Sequence, residues 1–599
     1  MEPVSQRLSA GRPREGNLYL RFLGHYLAPY RGKVLVLALS LFAASGLQLY
    51  TPQLVRQFID QATAGGTLEV LVGIAIVYLV LAVGRQLLAA LSTYLSADVG
   101  WSSTNQLRAD LFGHTLRLDL AYHKERTPGE LIERIDGDVT SIANFFSQFL
   151  VQVTGAVLLM GGILVVLWLE DWRVGLVLSV FTLAVTYVLF ARREVAVPAT
   201  RAEREASAQV FGFVEERLAG LDDIRANGAG RYTLRRFLEV QRELYARGTH
   251  AWWMRGTFWL LFGSLFSLGN LLALGMGIGL YLDGSISLGT VYLFFNYVLM
   301  LEAPVEQITQ QLQEFQRAAA GMRRVSEMLQ TAPQVRDGSR SLPQRRAHAV
   351  EFRGVRFAYE DQNVLKGLSF RLEPGQTLGL LGRTGSGKTT LIRLLFRLYD
   401  ATEGQVLLDG IDLRDTRLDE LRQRVGLVTQ DVQLFHGTVR DNLTFFDPAV
   451  PDGAIRRVLG DLGLGEWLEG LPNGLDTVLR SGGAGLSAGE SQLLAFARVF
   501  LKDPGLVILD EPSSRLDPAT ERLLTRAIDR LLEGRTGIII AHRLETVERV
   551  DKIMVLSQGE ILEFGDRAEL AADPGSRYHA MLRLSSEAGL DEQMERLGV

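Results

Sequence analysis

The run Gly382-Arg383-Thr384-Gly385-Ser386-Gly387-Lys388-Thr389-Thr390 has the spacing G-x-x-x-x-G-K-[ST]. Glycines at these positions let backbone N–H groups turn inward around a chain of phosphates. Lys388 supplies a mobile ammonium for the β- and γ-phosphates, and the Thr389 hydroxyl suits Mg²⁺. Only six of the 63 basic residues are lysines, so a chain that otherwise uses arginine keeps an ammonium here. Two further runs end in groups that could act on a γ-phosphate. Leu506-Val507-Ile508-Leu509-Asp510-Glu511 ends in paired carboxylates, of which Asp510 can hold Mg²⁺ through water while Glu511 polarises the attacking water. Ile538-Ile539-Ile540-Ala541-His542 ends in an imidazole that could contact the same phosphate and water.

These residues need particular elements around them. The apolar Thr377–Leu381 before the glycine loop and Leu391–Leu395 after it predict a strand, a loop and a helix whose N-terminus adds positive potential. From Val350 the chain reads as short apolar strands, turn signals and helices, an α/β domain of residues 350–585. A charged linker with Pro333 and Pro343 occupies 332–349, and residues 586–599 form a polar tail.

Residues 1–331 read differently. The 599 residues are 47% hydrophobic, a content too high to spread evenly through a soluble protein of this size. Six apolar runs of bilayer-spanning length account for it: Val34 to Val55, Leu68 to Leu91, Phe149 to Leu169, Val174 to Ala191, Thr257 to Leu282 and Leu288 to Met300 with its continuation. Basic residues concentrate before the first run and in 92–148 and 192–256, which places both termini on the cytoplasmic side. The apolar run after Lys33 is too long for a signal peptide, so the N-terminal segment is expected to stay attached. The two long polar connections carry helical periodicity (Leu107, Leu111, Leu118; Leu131, Ile135, Val139, Ile142). They break near 118–123 and 226–231, either at ordinary turns or at short transverse helices that dock on the soluble domain. Arg85 and Glu302 sit inside spans, where a charge needs either a water-filled cavity or a partner such as each other. Pro304 loosens the helix beside Glu302. A net charge of −5 argues against a nucleic-acid partner, and the absence of cysteine excludes disulfides and thiolate chemistry.

With Gln430 in Val428-Thr429-Gln430-Asp431 and Leu486-Ser487-Ala488-Gly489-Glu490 opening a helix, the soluble part resembles the nucleotide-binding domain of an ABC transporter. The whole chain, from about residue 20 to about 585, resembles an exporter-type half-transporter. The resemblance implies an all-α six-helix transmembrane domain with long cytoplasmic helical extensions, plus an α/β P-loop NTPase domain of the ABC type. It also implies roles for residues that match the family's motifs. Tyr359 stacks on adenine, Gly382 to Thr390 form the Walker A loop, and Gln430 is the Q-loop ligand, joining Thr389 and Asp510 around Mg²⁺. Ser487 and Gly489 belong to the signature, Asp510 and Glu511 to Walker B with the catalytic carboxylate, Ser514 to Asp517 to the D-loop, and His542 is the switch histidine.

Two departures stand out. The usual L-S-G-G-Q reads Leu-Ser-Ala-Gly-Glu here, and Ser481 stands where the preceding loop usually carries a glutamate. In this family each ATP site joins one subunit's Walker motifs to the other's signature. An intact Walker half beside an altered signature half therefore predicts a non-identical partner with an intact signature and a weakened Walker B. The expected activity is ATP-driven export across the plasma or inner membrane of an unidentified small molecule, lipid or peptide. A homodimeric exporter, a lipid flippase or an importer of the same fold stand as alternatives.

Overall fold

The computed structural model describes residues 24 and 26–584, apart from 146, 148–149, 193, 484, 511–517 and 542–543. The chain divides into two units: Met1–Arg117 with Arg126–Ala332, and Leu118–Glu125 with Pro333–Val599. Glu511, Ser514 to Asp517, His542 and the expected polar tail lie outside the described residues.

Before residue 331 the main helices are α1 (Arg31–Thr63), α2 (Leu68–Thr115), α3 (Leu120–Glu125), α4 (Leu150–Glu170), α5 (Trp172–Arg192), α6 (Val197–Ala219), α7 (Leu221–Ala226), α8 (Gly230–Leu282) and α9 (Leu288–Gln330). Six of them, α1, α2, α4, α5, α8 and α9, are long and apolar enough to cross a membrane. They coincide with the six apolar runs in the sequence. None of the most apolar stretch of α2 is buried against the chain, as suits a helix whose solvent is lipid.

Side chains that meet between spans explain the packing. Ile163 and Leu167 of α4, Leu178 of α5, Phe266 of α8 and Phe294 of α9 are buried in one apolar cluster. At Gly269 of α8 a Cβ would lie 2.4 Å from Phe181 Cζ, so any larger residue would have to displace the Phe181 ring that α5 packs against α8. Polar fasteners join the helices at several places. Arg56 of α1 donates to both carboxylate oxygens of Glu170 at 2.7 and 2.6 Å, and Asp60 caps α9 by accepting from Ser287 Oγ at 2.7 Å and Gly289 N at 2.9 Å. Asp138, buried at the end of a π-helical turn (Glu133–Asp138), accepts from Arg324 Nε of α9 at 2.8 Å. A second Arg324 nitrogen bonds the other oxygen of the same carboxylate.

Both polar connections are helical extensions of the spans. In the first, the chain leaves helix after Thr115 and forms α3, which groups with the soluble unit. Asp119 ties it there by accepting from the backbone N–H of Gln334 and, at 3.2 Å, of Val335. The second forms a hairpin of α6 and α8 closed by α7 and a turn at Gly228 (φ +64°), so the short helix falls just before the expected break. No residue of α7 is buried.

The soluble unit is built on two sheets. One has four antiparallel strands in the order β2 (Gln362–Leu372), β1 (Val350–Tyr359), β4 (Glu403–Leu408) and β5 (Ile411–Asp412). The other has six, in the order β12 (Glu560–Asp566), β11 (Lys552–Ser557), β3 (Thr377–Leu381), β10 (Thr536–Ile540), β9 (Leu506–Asp510) and β6 (Val425–Val428). A short antiparallel ribbon pairs β7 (Gly437–Thr438) with β8 (Val478–Leu479). Strands β11, β3, β10, β9 and β6 run parallel and are near-continuous apolar runs, as expected for strands covered on both faces. Residues 333–349 lie along this unit: Gly338 N donates to Thr416 O at 3.1 Å and Asp337 accepts from Leu418 N at 2.8 Å.

Candidate functional site

Parallel strands bring the loops at their carboxyl ends to one edge of the sheet. Register makes this concrete: Ile540 pairs with Leu380 on one side and Asp510 on the other, and Leu509 pairs with Val428. The glycine loop after β3, Gln430 after β6 and Asp510 at the tip of β9 therefore share the carboxyl edge, where open α/β sheets bind ligands. Glu511 and His542, the residues next along from Asp510 and Ala541, lie outside the described residues.

The loop has the backbone that its glycines predict. Gly385 and Gly387 have φ of +86° and +109°. A Cβ on Gly382 would meet Leu556 O at 2.4 Å, so the loop is seated against β11 as only glycine allows. Helix α10 (Lys388–Leu395) starts directly after Gly387, which aims its N-terminal dipole at the loop. Lys388 is only 7% exposed, and its Nζ donates to the carbonyls of Gly382 and, at 3.1 Å, Arg383. Ser386 Oγ is buried without a partner, whereas Arg383, Thr384 and Thr389 are exposed. A buried ammonium, an orphan hydroxyl and an exposed threonine around one backbone ring fit a polyphosphate with its cation.

Tyr359 ends β1 beside this loop. Its Oη lies 3.4 Å from Thr390 Oγ1 and accepts from Arg393 Nη1 at 3.0 Å. Sequence reasoning singles out Tyr359 but misses Arg393, although Arg393 stands one helical turn after Thr390 on the same face of α10.

The segment Leu486–Glu490, expected to be the altered signature, closes on itself. Ser487 caps α11 (Ala488–Lys502) in a capping box: Glu490 N donates to Ser487 Oγ at 3.1 Å, and Ser487 N donates to Glu490 Oε2 at 2.7 Å. The serine hydroxyl donates its own proton to that same carboxylate oxygen at 2.9 Å. Gly489 is fixed by packing, since a Cβ there would lie 2.3 Å from Thr520 Cγ2 of α12 (Pro518–Leu532).

Among the described residues no group of three or more histidine and acidic side chains could hold a metal. Arg85 and Glu302, which the sequence allows as partners, form no ion pair with each other or with any other described residue.

Residues 34–305 match the family model described as the ABC transporter transmembrane region, and residues 365–514 match the ABC transporter model. The chain is similar to the ATP-dependent lipid A-core flippase of Chromohalobacter salexigens, with 32% identity over 95% of this chain and 98% of the relative. It is also similar to the uncharacterized ABC transporter ATP-binding protein YfiC of Bacillus subtilis, with 30% identity over 93% of this chain and 92% of the relative. Among solved structures, a bacterial Atm1-family ABC exporter with ATP bound shares the fold, with a TM-score of 0.75 and 23% identity over 96% of this chain and 99% of that one.

Proposed function

This chain belongs to the ABC transporter family, and from that premise we propose that it is one half of a heterodimeric exporter whose two ATP sites differ in strength. It is an ATPase coupled to transport, built as a half-transporter with one transmembrane region and one nucleotide-binding domain. ATP draws two such domains together, the helical extensions carry that closure to the spans, and hydrolysis resets the cycle.

Within this chain the phosphate-binding half is complete. The amides of Gly382 to Thr390 cradle the phosphates, and Lys388 leaves its loop carbonyls for the β- and γ-oxygens. Thr389, Gln430 and Asp510 would hold Mg²⁺, an oxygen-only set with a single carboxylate that suits an ion bound largely through phosphates and water. Held there, Mg²⁺ would supply positive charge that offsets the charge developing on the phosphates. Glu511 orients the attacking water and His542 contacts the γ-phosphate.

The observation that carries the heterodimer is the capping box. Ser487, which the family's pattern assigns to the partner's ATP site, donates its hydroxyl hydrogen bond to Glu490. A phosphate brought to that position meets a carboxylate that can only accept. Ala488 adds a methyl where the backbone must approach phosphate closely. Two copies would give two sites, each joining a good Walker half to a poor signature. A partner with an intact signature and a weakened Walker B yields one competent site. The test replaces both residues, Ala488→Gly with Glu490→Gln, in the chain purified alone in lipid. ATPase activity rises at least about tenfold if the signature is what limits it, the scale of one to two lost charge-assisted phosphate contacts. Activity unchanged by the pair overturns the reading.

The substrate we propose is an amphiphile with an anionic headgroup. Support comes from the flippase relatives and from Arg85, a half-buried cation with no ion pair among the described residues.

A further inference from the structure

Lys124 is one of only six lysines in the chain, and it stands on α3, in the segment that groups with the soluble unit. Its ammonium lies over the ring of Tyr359, 4.8 Å from the centroid. It is exposed and has neither an ion pair nor a hydrogen bond among the described residues, so the aromatic face is the contact that holds it. The ring itself is firmly placed. Arg393 bonds its hydroxyl at 3.0 Å, and Phe357 and Tyr399 stand nearly perpendicular to it at 4.8 and 5.2 Å. Between α3 and this ring is a cleft of about 480 Å³, bordered by Asp119, Lys124, Val335, Tyr359, Tyr399 and Asp400. The Tyr399 hydroxyl on its border is buried without a partner, a donor suited to the edge of a base.

We propose that Lys124 and the adenine of ATP compete for the face of Tyr359, so that nucleotide entry releases a tie between α3 and the soluble unit. The tie from Asp119 to the backbone of Gln334 and Val335 borders the same cleft but does not use the ring, so it stays. The competition is steric and electronic together: an ammonium centred over a ring and a stacked purine require the same volume and the same π-face. Lysine suits the role because its ammonium is a strongly hydrated point charge on a flexible stem and leaves readily for water. An arginine would stack flat and hold on. The 57 arginines in the chain make the choice informative, since arginine is the default cation here. The proposal rests on Tyr359 as the adenine stack.

The sign of the effect separates this from simple electrostatics. Removing a cation near a nucleotide loosens binding if the charge attracts phosphate and tightens it if the cation occupies the base's seat. The experiment measures ATP and tripolyphosphate affinity in the full-length assembled transporter in lipid nanodiscs, with Glu511→Gln to stop turnover. Lys124→Ala is expected to tighten ATP by about twofold to fivefold, the strength of an exposed cation–π contact. Lys124→Arg is expected to loosen ATP, tripolyphosphate is expected to bind all three forms alike, and Tyr359→Ala is expected to erase the effect of position 124. Lys124→Ala that leaves ATP affinity unchanged or lowers it overturns the proposal, as does an equal change for tripolyphosphate. Tyr359→Ala binding ATP as tightly as the parent overturns instead the adenine assignment beneath it.

Discussion

At the scale of single residues, the chemistry is legible where function requires a short fixed spacing. The glycine loop, Lys388 and the carboxylates after β9 are set by local sequence, and the loop has the positive φ values its glycines predict. Glu490 is legible only in part: its type predicts a poor phosphate neighbour, but not that it accepts the serine hydroxyl's hydrogen bond, which depends on the N-cap geometry of α11. Lys124 over Tyr359 is not legible, because 235 residues separate the two and nothing local links them. Glu511→Gln is expected to lower steady-state ATPase by about 10²-fold or more while ATP binding is retained, since it removes a water-polarising group and no phosphate contact. A radiolabelled ATP binding assay beside phosphate release checks it, and turnover within about twofold of the parent would remove Glu511 from its role. Lys388→Ala is expected to lower ATP affinity at least about tenfold, read by the same binding assay.

At the scale of elements, hydrophobic periodicity locates the six spans well because lipid demands about twenty apolar residues per helix and little else in the chain satisfies that. Periodicity does not carry which unit a short helix joins. The break at 118–123 is visible in the sequence, yet the contacts that join α3 to the soluble unit include Asp119 meeting two backbone N–H groups more than 200 residues away. Fasteners between helices are similarly hidden, since they pair residues from distant segments. The Asp138–Arg324 pair is the clearest, with Asp138 buried and Arg324 half exposed. Arg324→Ala leaves a buried carboxylate unpaired and is expected to destabilise the membrane unit by about 2 kcal/mol, below the range for fully buried pairs because one partner is solvated. A fall in Tm of purified protein in detergent checks this, and Arg324→Lys should recover part of it. Arg85→Gln is expected to lower substrate-stimulated ATPase severalfold while basal ATPase persists. Equal loss of both activities would make Arg85 a structural residue instead.

At the scale of the whole molecule, the proposed heterodimer sets this chain's phosphate-binding loop and self-capped Ser487–Glu490 segment beside a different partner. Two observations support it: the departure from L-S-G-G-Q in the sequence and the hydrogen bond from Ser487 to Glu490 in the fold. The most direct measurement is ATPase activity and ATP cooperativity of the chain purified alone in lipid nanodiscs, compared with the chain co-purified with a native partner subunit. The account predicts that the chain alone hydrolyses ATP at no more than about a tenth of the rate of the co-purified pair, the loss expected when each site lacks a competent signature. A chain that alone hydrolyses ATP cooperatively at the rate of the pair, and transports without a second subunit, would contradict it.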